Sequence, residues 1–506
     1  MRNRFRTVNV VFNILGSLFL VLGVFLLTPL IVFFATREYS RGMGIFFAFI
    51  TSALTSFLLG TLLKFVCTPG NPDRLQAILV CSLAWIGFSA IGALPFVLGL
   101  RITYLNGFFE AMSGFTTTGI TMFQGLDNMP GSILFWRSLT QWIGGLGILT
   151  FFLAVTYRGG SAHMLFGAES HKIGMERPVP GLANTLKILW SIYAGFTILT
   201  CVCLAIAGMP FFDSIIHSFT AIATGGFSNH DASIAYYQLT GFRHYVVIEY
   251  ILILGMLFGG TNFLIHYRIV QRDWKALFDN TEIRYWWGLI LFFLIIIFIE
   301  RSAKLAPFSY ISSNGVICWK GVEETFRKVF FQVVAIITTT GFSTEDIGGS
   351  FFGHLARQLF LVMMVIGGCV GSTGGGFKVL RVAILTKLIK RELFRMRAPS
   401  SALSPVVVDG EVISKNELYR VAALFFTWVV LLIFGGAVTA LLSDLNAFQS
   451  FSGMFSALGN IGPTYIPADT MIHLHPLIKT VFIFGMLAGR LEILPILLLF
   501  STKVWR

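Results

Sequence analysis

Four short segments of this sequence each end in a glycine, and these glycines lie 107, 115 and 121 residues apart. Converging backbone carbonyls can replace the hydration shell of a cation, and threonine hydroxyls add oxygen atoms without net charge. The glycines permit backbone conformations that a side chain would forbid. Because no acidic residue lies in the segments, a monovalent cation is favoured over calcium. The segments are Thr116-Thr117-Thr118-Gly119, Ala223-Thr224-Gly225-Gly226, Thr338-Thr339-Thr340-Gly341 and Gly459-Asn460-Ile461-Gly462.

A short apolar stretch of about 12–15 residues precedes each of these glycines. Apolar residues recur four, seven and eleven positions before each glycine, which is the spacing of one helix face. Such a helix is too short to cross a hydrocarbon layer of about 30 Å. Non-helical backbone is tolerated at membrane depth only where it is buried in protein or lines a water-filled cavity. The pattern therefore predicts four half-membrane helices around one pore. Four hairpins that serve packing alone are the alternative.

The composition is that of an integral membrane protein. Of the 506 residues, 55% are hydrophobic and 12% charged, and the mean hydropathy is +0.78. Soluble domains carry about 25% charged residues. The first apolar stretch follows three arginines but is too long for a signal peptide, so we expect a retained helix. Ten stretches are long enough to cross a membrane, near 9–35, 42–66, 76–100, 133–157, 186–209, 245–266, 285–299, 353–389, 418–443 and 474–501.

The predicted fold is an all-α membrane protein with two N-terminal helices and four pseudo-fourfold repeats of helix, pore helix and helix around one central pore. The predicted divisions are 1–70 for the N-terminal pair, then 71–160, 184–270, 284–397 and 415–506 for the four repeats.

Basic residues are distributed unequally between the two sides of this topology. With both termini inside, the inner segments hold 24 basic residues and the outer segments 12, and Arg490 lies alone deep in a crossing. The positive-inside rule fits this bias, so the net charge of +13 indicates topology and anionic lipid rather than nucleic acid. All four glycine segments then fall on the outer side. The six cysteines form no disulfide or metal-binding pattern.

The sequence resembles the Trk/Ktr/HKT superfamily of potassium transporters, and within it the bacterial Trk potassium-uptake subunits, over nearly the whole chain. The matching motifs are the segments at 116–119 and 338–341, 224–227, 460–463, the run 141–147 and the glycine-rich stretch 367–376. The resemblance implies that the segments form one selectivity filter for transported potassium, mainly through backbone carbonyls. Because all four segments keep glycine, where a serine in the first segment goes with sodium permeation in that family, the resemblance implies potassium rather than sodium. The implied filter residues are Thr116, Thr117, Thr118, Gly119, Thr224, Gly225, Gly226, Thr338, Thr339, Thr340, Gly341, Asn460, Ile461 and Gly462.

The glycine-rich stretch interrupts the longest apolar segment near its middle. It has six glycines in ten residues, and each costs a helix about 1 kcal/mol against alanine. A phosphate-binding loop does not fit, because no strand precedes it and the lysine does not directly follow a glycine. The resemblance implies a mobile gating loop below the filter, and a plain helix break is the alternative. The implied gate residues are Gly371, Ser372, Thr373, Gly374, Gly375, Gly376, Lys378 and Arg490.

Arg490 is expected to face the pore, where its charge would raise the barrier to cations. A salt bridge to Glu492 or Glu249, or snorkelling to the membrane surface, is the alternative. The basic stretch 378–420 is expected to contact anionic lipid. The resemblance instead implies docking of a cytosolic nucleotide-binding regulatory subunit of the RCK/KTN (TrkA-like) type, and also a homodimer.

The resulting prediction is channel-like or symport uptake of potassium through a bacterial inner membrane, with cytoplasmic termini and no organic cofactor in this chain. A sodium or mixed monovalent cation pathway on the same scaffold is the nearest alternative. A polytopic membrane enzyme such as a lipid transferase would need paired carboxylates or histidines at membrane depth. The acidic residues fall mostly in loops or at helix ends, so no enzymatic activity is expected.

Overall fold

The computed structural model describes residues 2–147, 150, 182–304, 319–399 and 402–499, which are almost entirely helical. The N-terminal part consists of α1 (Arg2–Leu27), α2 (Pro29–Ala35) and α3 (Gly44–Val66). A proline in the first turn of α2 accounts for the break after α1. Helices α1 and α3 pack closely at Gly16 and Gly60, where a Cβ on either would lie 2.8 Å from the carbonyl oxygen of the other.

The remaining described helices follow in four groups. The first two groups are α4 (Arg74–Gly92), α5 (Leu94–Leu100), α6 (Tyr104–Phe115) and α7 (Gly131–Gly145), then α8 (Leu182–Ile206), α9 (Phe211–Ile222), α10 (Ala235–Leu239), α11 (Tyr245–Gly260) and α12 (Phe263–Val270). The last two groups are α13 (Thr281–Lys304), α14 (Trp319–Ile337), α15 (His354–Val365) and α16 (Val379–Arg395), then α17 (Lys415–Leu441), α18 (Ala447–Gly459), α19 (Ala468–Met471), α20 (Pro476–Leu491) and α21 (Ile493–Leu499). Strands β1 (Val407–Val408) and β2 (Glu411–Val412) form an antiparallel hairpin between α16 and α17.

Six spans in the described residues are long and apolar enough to cross a membrane, and the pair α11 and α12, bent by 105°, is a possible seventh. The three other predicted crossings lie in shorter helices. Helix α7 is followed by residues of which most lie outside the described ranges, α15 and α16 are separated by the glycine-rich stretch, and α20 ends at Leu491. The long spans are Asn9–Ala35, Gly44–Val66, Leu75–Leu100, Asn184–Ile206, Thr281–Ala303 and Lys415–Leu441.

Helices α6, α9, α14 and α18 directly precede the glycine segments, and we call them the pore helices. Three have 12, 12 and 13 residues, within the predicted length. The prediction is wrong for α14, which has 19 residues. Its first turns are charged and stabilised by ion pairs one helical turn apart, Glu323 with Arg327 and Glu324 with Lys328, both at 2.9 Å.

The two ends of α13 mark the two opposite sides of the membrane domain. Its first residue, Thr281, donates its backbone N–H to Asp409 in the hairpin at 2.6 Å, and near its end Glu300 accepts from Leu355 at the start of α15. We call the first side the hairpin face and the second the pore-helix face. In the core between them, the indole of Trp136 on α7 donates to Gly92 of α4 at 3.0 Å and packs edge-on against Phe115 of α6.

Candidate functional site

The four glycine segments close into a ring, each against the next in chain order. A Cβ added to Gly119 would collide with the carbonyl oxygen of Gly225, and one added to Gly226 with that of Thr340. A Cβ on Gly341 would collide with the carbonyl oxygen of Ile461. The fourth segment completes the ring, since a Cβ on Gly462 would lie 3.0 Å from the carbonyl oxygen of Thr118. The structure therefore brings together all four segments that the sequence singles out.

Each segment has the same unusual backbone. The segment glycines have φ between +75° and +107°, a range that side chains rarely tolerate. Two positions before each glycine, a residue with a side chain also has a left-handed φ: 52° at Thr117, 51° at Thr224, 61° at Thr339 and 54° at Asn460. Such residues cost on the order of 1–3 kcal/mol each and persist only where their surroundings hold them.

Hydroxyl groups support the first and third segments in the same way. Thr116 Oγ1 lies 2.7 Å from Thr118 Oγ1 and donates to Met112 of α6 at 2.6 Å. Thr338 Oγ1 lies 2.8 Å from Thr340 Oγ1 and donates to Val334 of α14 at 2.7 Å. The second and fourth segments have no hydroxyl at these positions. The backbone of the ring therefore has approximate fourfold symmetry, whereas its side chains are closer to twofold symmetry.

All four pore helices end where the ring begins. The C-terminus of a helix carries a partial negative charge of roughly half an elementary charge. Helices α6, α9 and α14 end at Phe115, Ile222 and Ile337, and α18 ends at Gly459. Four such ends around one ring favour a cation at its centre without placing a carboxylate there.

The glycine-rich loop, residues 366–378, lies against the ring. Gly375 donates its N–H to Thr339 Oγ1 at 2.9 Å, and Thr373 Oγ1 lies 3.1 Å from Thr224 Oγ1. Both contacts are made to side chains of the ring residues that have a left-handed φ. A Cβ on Gly375 would approach Asn460 as well, at 2.6 Å. The loop thus touches three of the four segments.

The backbone at the break between α11 and α12 forms hydrogen bonds with the loop. Cys369 and Thr373 donate their N–H groups to Gly260 and Gly259, and Phe263 donates to Gly371, all at 3.1 Å. Glu282 accepts from the N–H of Val370 at 2.7 Å. Three further residues that the sequence assigns to the gate also lie in the loop. The hydroxyl of Ser372 donates to Cys369, the buried ammonium of Lys378 donates to Gly374, and Gly376 has a φ of +74°.

Arg490 reaches the ring from the end of α20. Its guanidinium donates to Thr117 Oγ1 at 3.2 Å and to the carbonyl of Thr373 in the loop. It also donates to the carbonyls of Gly144 and Gly145 at 2.5 and 2.6 Å. The carboxylates considered from the sequence have other arginine partners, since Glu249 pairs with Arg327 and Glu492 with Arg381.

Basic side chains other than that of Arg490 also lie inside the protein. Arg137 is 2% exposed on α7, and Arg327 is 1% exposed on α14. Each is buried because a carboxylate compensates its charge. Arg137 pairs with Glu110 of α6 at 2.5 Å.

This Glu110 and Arg137 pair joins two repeats behind the ring. Glu110 accepts from the N–H of Met122 at 2.8 Å, just after the first segment. Arg137 donates to the carbonyl of Ser228 at 2.7 Å, just after the second segment, and lies 3.5 Å from the ring centroid of Phe227. Sequence reasoning missed this pair.

Gln141 was also missed, although it stands in a motif that carries the resemblance. Its amide nitrogen donates to the carbonyl of Gly225 at 2.6 Å, and its amide oxygen accepts from the N–H of Phe227 at 3.1 Å. The available signal was the position of Gln141 in the run 141–147, four residues after Arg137 and so on the same face of α7. The contact supports the second segment, which lacks the threonine pair.

On the pore-helix face, His230 joins the first two repeats. Its Nδ1 lies 2.5 Å from Asp127 and its Nε2 3.2 Å from Asp213, and the ring stacks on Tyr236 at 3.5 Å. Burial lowers the pKa of His230, but its hydrogen bonds and charge interactions with the two carboxylates outweigh burial and raise it above the ordinary histidine value.

A family model described as TrkH, cation transport protein, matches residues 45–506. The chain is similar to the Trk system potassium uptake protein TrkH of Salmonella typhimurium, with 33% identity over 447 residues, covering 86% of this chain and 87% of that protein. The protein of the same name from Halomonas elongata is 30% identical over 512 residues, covering 99% and 100%.

The fold is similar to the crystal structure of the potassium transporter TrkH from Vibrio parahaemolyticus. The TM-score is 0.82 with 30% sequence identity, and the match covers 100% of both chains. The all-α membrane fold predicted from the sequence is thereby confirmed.

Proposed function

Because the chain belongs to the TrkH family of cation transport proteins, as the sequence predicts, we propose that it takes up potassium ions through the ring of glycine segments. The observation that carries the proposal is the closure of this ring. Each segment glycine lies against the backbone of the next segment, so the four extended backbones surround a single axis. An ion on that axis is coordinated by backbone carbonyls in place of its water shell.

The chemistry of the ring supports a monovalent ion. The four segments contain no carboxylate, and the pore-helix ends supply only partial charges. An inside-negative membrane potential drives entry, with about 2.3 kcal/mol per elementary charge for each 100 mV. The relatives named as potassium uptake proteins support potassium as the ion.

The glycine-rich loop and Arg490 form the gate in this proposal. The loop contacts the ring through Thr373 and Gly375, and Arg490 donates to both the ring and the loop. Opening requires the loop to break its hydrogen bonds to Thr224 and Thr339 of the ring. The backbone hydrogen bonds to Gly259 and Gly260 hold the loop closed until they break.

A sodium or mixed monovalent cation pathway is the second candidate, and the unequal segments favour it. The threonine pairs at Thr116 and Thr118, and at Thr338 and Thr340, have no counterpart in the other two segments. Fewer fixed oxygens leave the ring more adaptable, which reduces discrimination against a smaller ion. Both candidates use the same ring and gate.

The cellular setting belongs to the same proposal. The chain lies in a bacterial inner membrane as a homodimer, with the hairpin face and both termini in the cytoplasm. A cytosolic nucleotide-binding subunit docks on the hairpin face and controls the gate, and anionic lipid contacts the basic loops. The predicted excess of basic residues on this side supports the orientation.

Growth of a bacterium deficient in potassium uptake tests the proposal. The unchanged chain should restore growth on low potassium, and Gly341→Ala should not, because its Cβ would collide with the fourth segment. Gly125→Ala is the matched control, since Gly125 also has a positive φ, of +71°, but has open space around it. Absence of rescue by the unchanged chain, at normal abundance in the membrane, would contradict the proposal.

A further inference from the structure

A cavity of about 400 Å³ lies on the hairpin face, between the last turns of α16 and the chain that leads into β1. Its lining combines cationic and apolar side chains. Lys387, Lys390 and Arg391 come from α16, as does Phe394, and Leu403 comes from the opposite wall. The cavity is separate from the ring, the loop and Arg490.

The cavity lies near the expected membrane boundary. Helix α16 begins at Val379, directly after the loop that contacts the ring. At a rise of 1.5 Å per residue, Lys387 is about 12 Å and Arg391 about 18 Å farther along the helix axis. Half of the hydrocarbon layer measures about 15 Å. With the ring at mid-membrane, as the half-membrane pore helices imply, and α16 along the membrane normal, the cationic groups reach the level of the phospholipid head groups.

The charges of the cavity fit an anion. Arg391 pairs with the neighbouring Glu392, and Lys387 donates to the carbonyl of Val407 at 2.8 Å. One carboxylate thus offsets one of three cations, and the cavity keeps a net positive charge. The Lys387 contact also fixes that ammonium in the wall next to β1.

The apolar part of the cavity fits a lipid better than a small soluble anion. Phe394 is 54% and Leu403 94% exposed, and Ile389 and Leu393 on the same helix are also exposed. Exposed apolar side chains on a basic helix are typical of helices at a membrane interface. Clusters of basic residues beside a membrane-spanning segment bind anionic head groups.

We infer that this cavity binds the phosphate of an anionic phospholipid, with Lys390 and Arg391 on the phosphate and Phe394 and Leu403 against the glycerol and upper acyl carbons. The inference rests on the membrane setting, the orientation and the contact of anionic lipid with the basic loops given under the proposed function, and it assigns that contact to one cavity; it does not rest on which ion the ring conducts. Failure of the lipid test therefore leaves ion conduction untouched, and loss of conduction leaves lipid binding measurable.

The test is native mass spectrometry of the purified full chain with added phosphatidylglycerol or phosphatidylcholine. The double variant Lys390→Gln with Arg391→Gln should bind phosphatidylglycerol about 10- to 30-fold more weakly, since each basic residue contributes modestly to attraction. The matched control is Arg272→Gln with Lys275→Gln, which removes two cations from the loop after α12. A second variant, Lys390→Arg with Arg391→Lys, keeps both charges and should bind phosphatidylglycerol normally.

Four results would overturn the inference. Equal binding of phosphatidylcholine would remove the role of charge. An equal loss in the control variant would show a diffuse electrostatic effect rather than a site. Displacement of the lipid by millimolar inorganic phosphate would identify a soluble anion as the ligand. Undiminished phosphatidylglycerol binding by the double variant would show that the lipid binds elsewhere on the chain.

Discussion

Arg490 and Thr117 are 373 positions apart in the sequence, and the guanidinium of the first donates to the hydroxyl of the second at 3.2 Å. This hydrogen bond joins the end of α20 to the first glycine segment. The same guanidinium donates to the carbonyl of Thr373. One cation therefore connects the ring to the loop that contacts it, directly in the path proposed for the ion.

Removal of this cation should increase transport. Arg490→Ala should raise rubidium flux about tenfold, because two unit charges roughly 10 Å apart at an effective dielectric constant near 20 repel by about 1.7 kcal/mol. Arg490→Lys should raise flux less, since it keeps the charge but not the forked donor geometry. The measurement is rubidium uptake into liposomes. Arg243→Ala, which removes an exposed cation from the turn before α11, is the control. Unchanged flux in Arg490→Ala would contradict the gate role.

Substitution of the segment glycines should reduce selectivity in a defined order. Gly119→Ser should lower the potassium-to-sodium permeability ratio about tenfold, because a side chain at a left-handed φ costs roughly 1–2 kcal/mol and would also collide with Gly225. Gly462→Ala should be milder, since its nearest neighbour is 3.0 Å away.

Gly125→Ser is the control for these substitutions, because it has the strain of a positive φ without a close neighbour. Its permeability ratio should equal that of the unchanged chain. Equal ratios in Gly119→Ser and Gly125→Ser would show that the ring geometry does not determine selectivity.

Loss of the Gln141 amide should weaken the second segment. Gln141→Leu leaves the carbonyl of Gly225 and the N–H of Phe227 without this partner, and each such buried group costs about 1–3 kcal/mol. We expect a lower potassium-to-sodium ratio in bi-ionic flux measurements. Ser138→Ala on the same helix removes only a bond to Leu134 of its own helix, so it should keep the ratio. A normal ratio in Gln141→Leu would refute the supporting role.

The raised pKa of His230 predicts a pH-dependent stability. A charged His230 stabilises the folded state through Asp127 and Asp213. This contribution is fully present below the ordinary histidine pKa of about 6.5 and is lost as pH rises through the raised value. The melting temperature of the unchanged chain should therefore fall on going from mildly acidic to alkaline pH.

His230→Gln should remove much of this fall, whereas the exposed His244→Gln should keep it. Thermal unfolding in detergent at several pH values measures the difference. The same pH dependence in both variants would assign the effect to other groups.

The pore helices were predictable from the sequence because each follows from the spacing of apolar residues within one short segment. The apolar stripe before each glycine predicts a helix and its end, and α6, α9 and α18 have the expected lengths. Helix α14 is longer than expected because the partners of its charged first turns include Glu249, 78 positions away from Arg327.

Long-range contacts were not predictable. The bonds of Gln141 to Gly225 and of Arg137 to Ser228 span 84 and 91 positions. His230 meets Asp127 only because the first two repeats are neighbours in the ring. A single sequence shows that such side chains are polar in apolar surroundings, but their partners follow from how the repeats pack.

Paired rubidium and sodium fluxes into liposomes that contain the purified chain, under an inside-negative potential, test the central claim most directly. We predict that rubidium enters faster than sodium through the unchanged chain, and that Gly119→Ser reduces this preference while Gly125→Ser does not. Equal rubidium and sodium permeability in the unchanged chain would contradict potassium uptake through the ring and would favour the mixed-cation pathway.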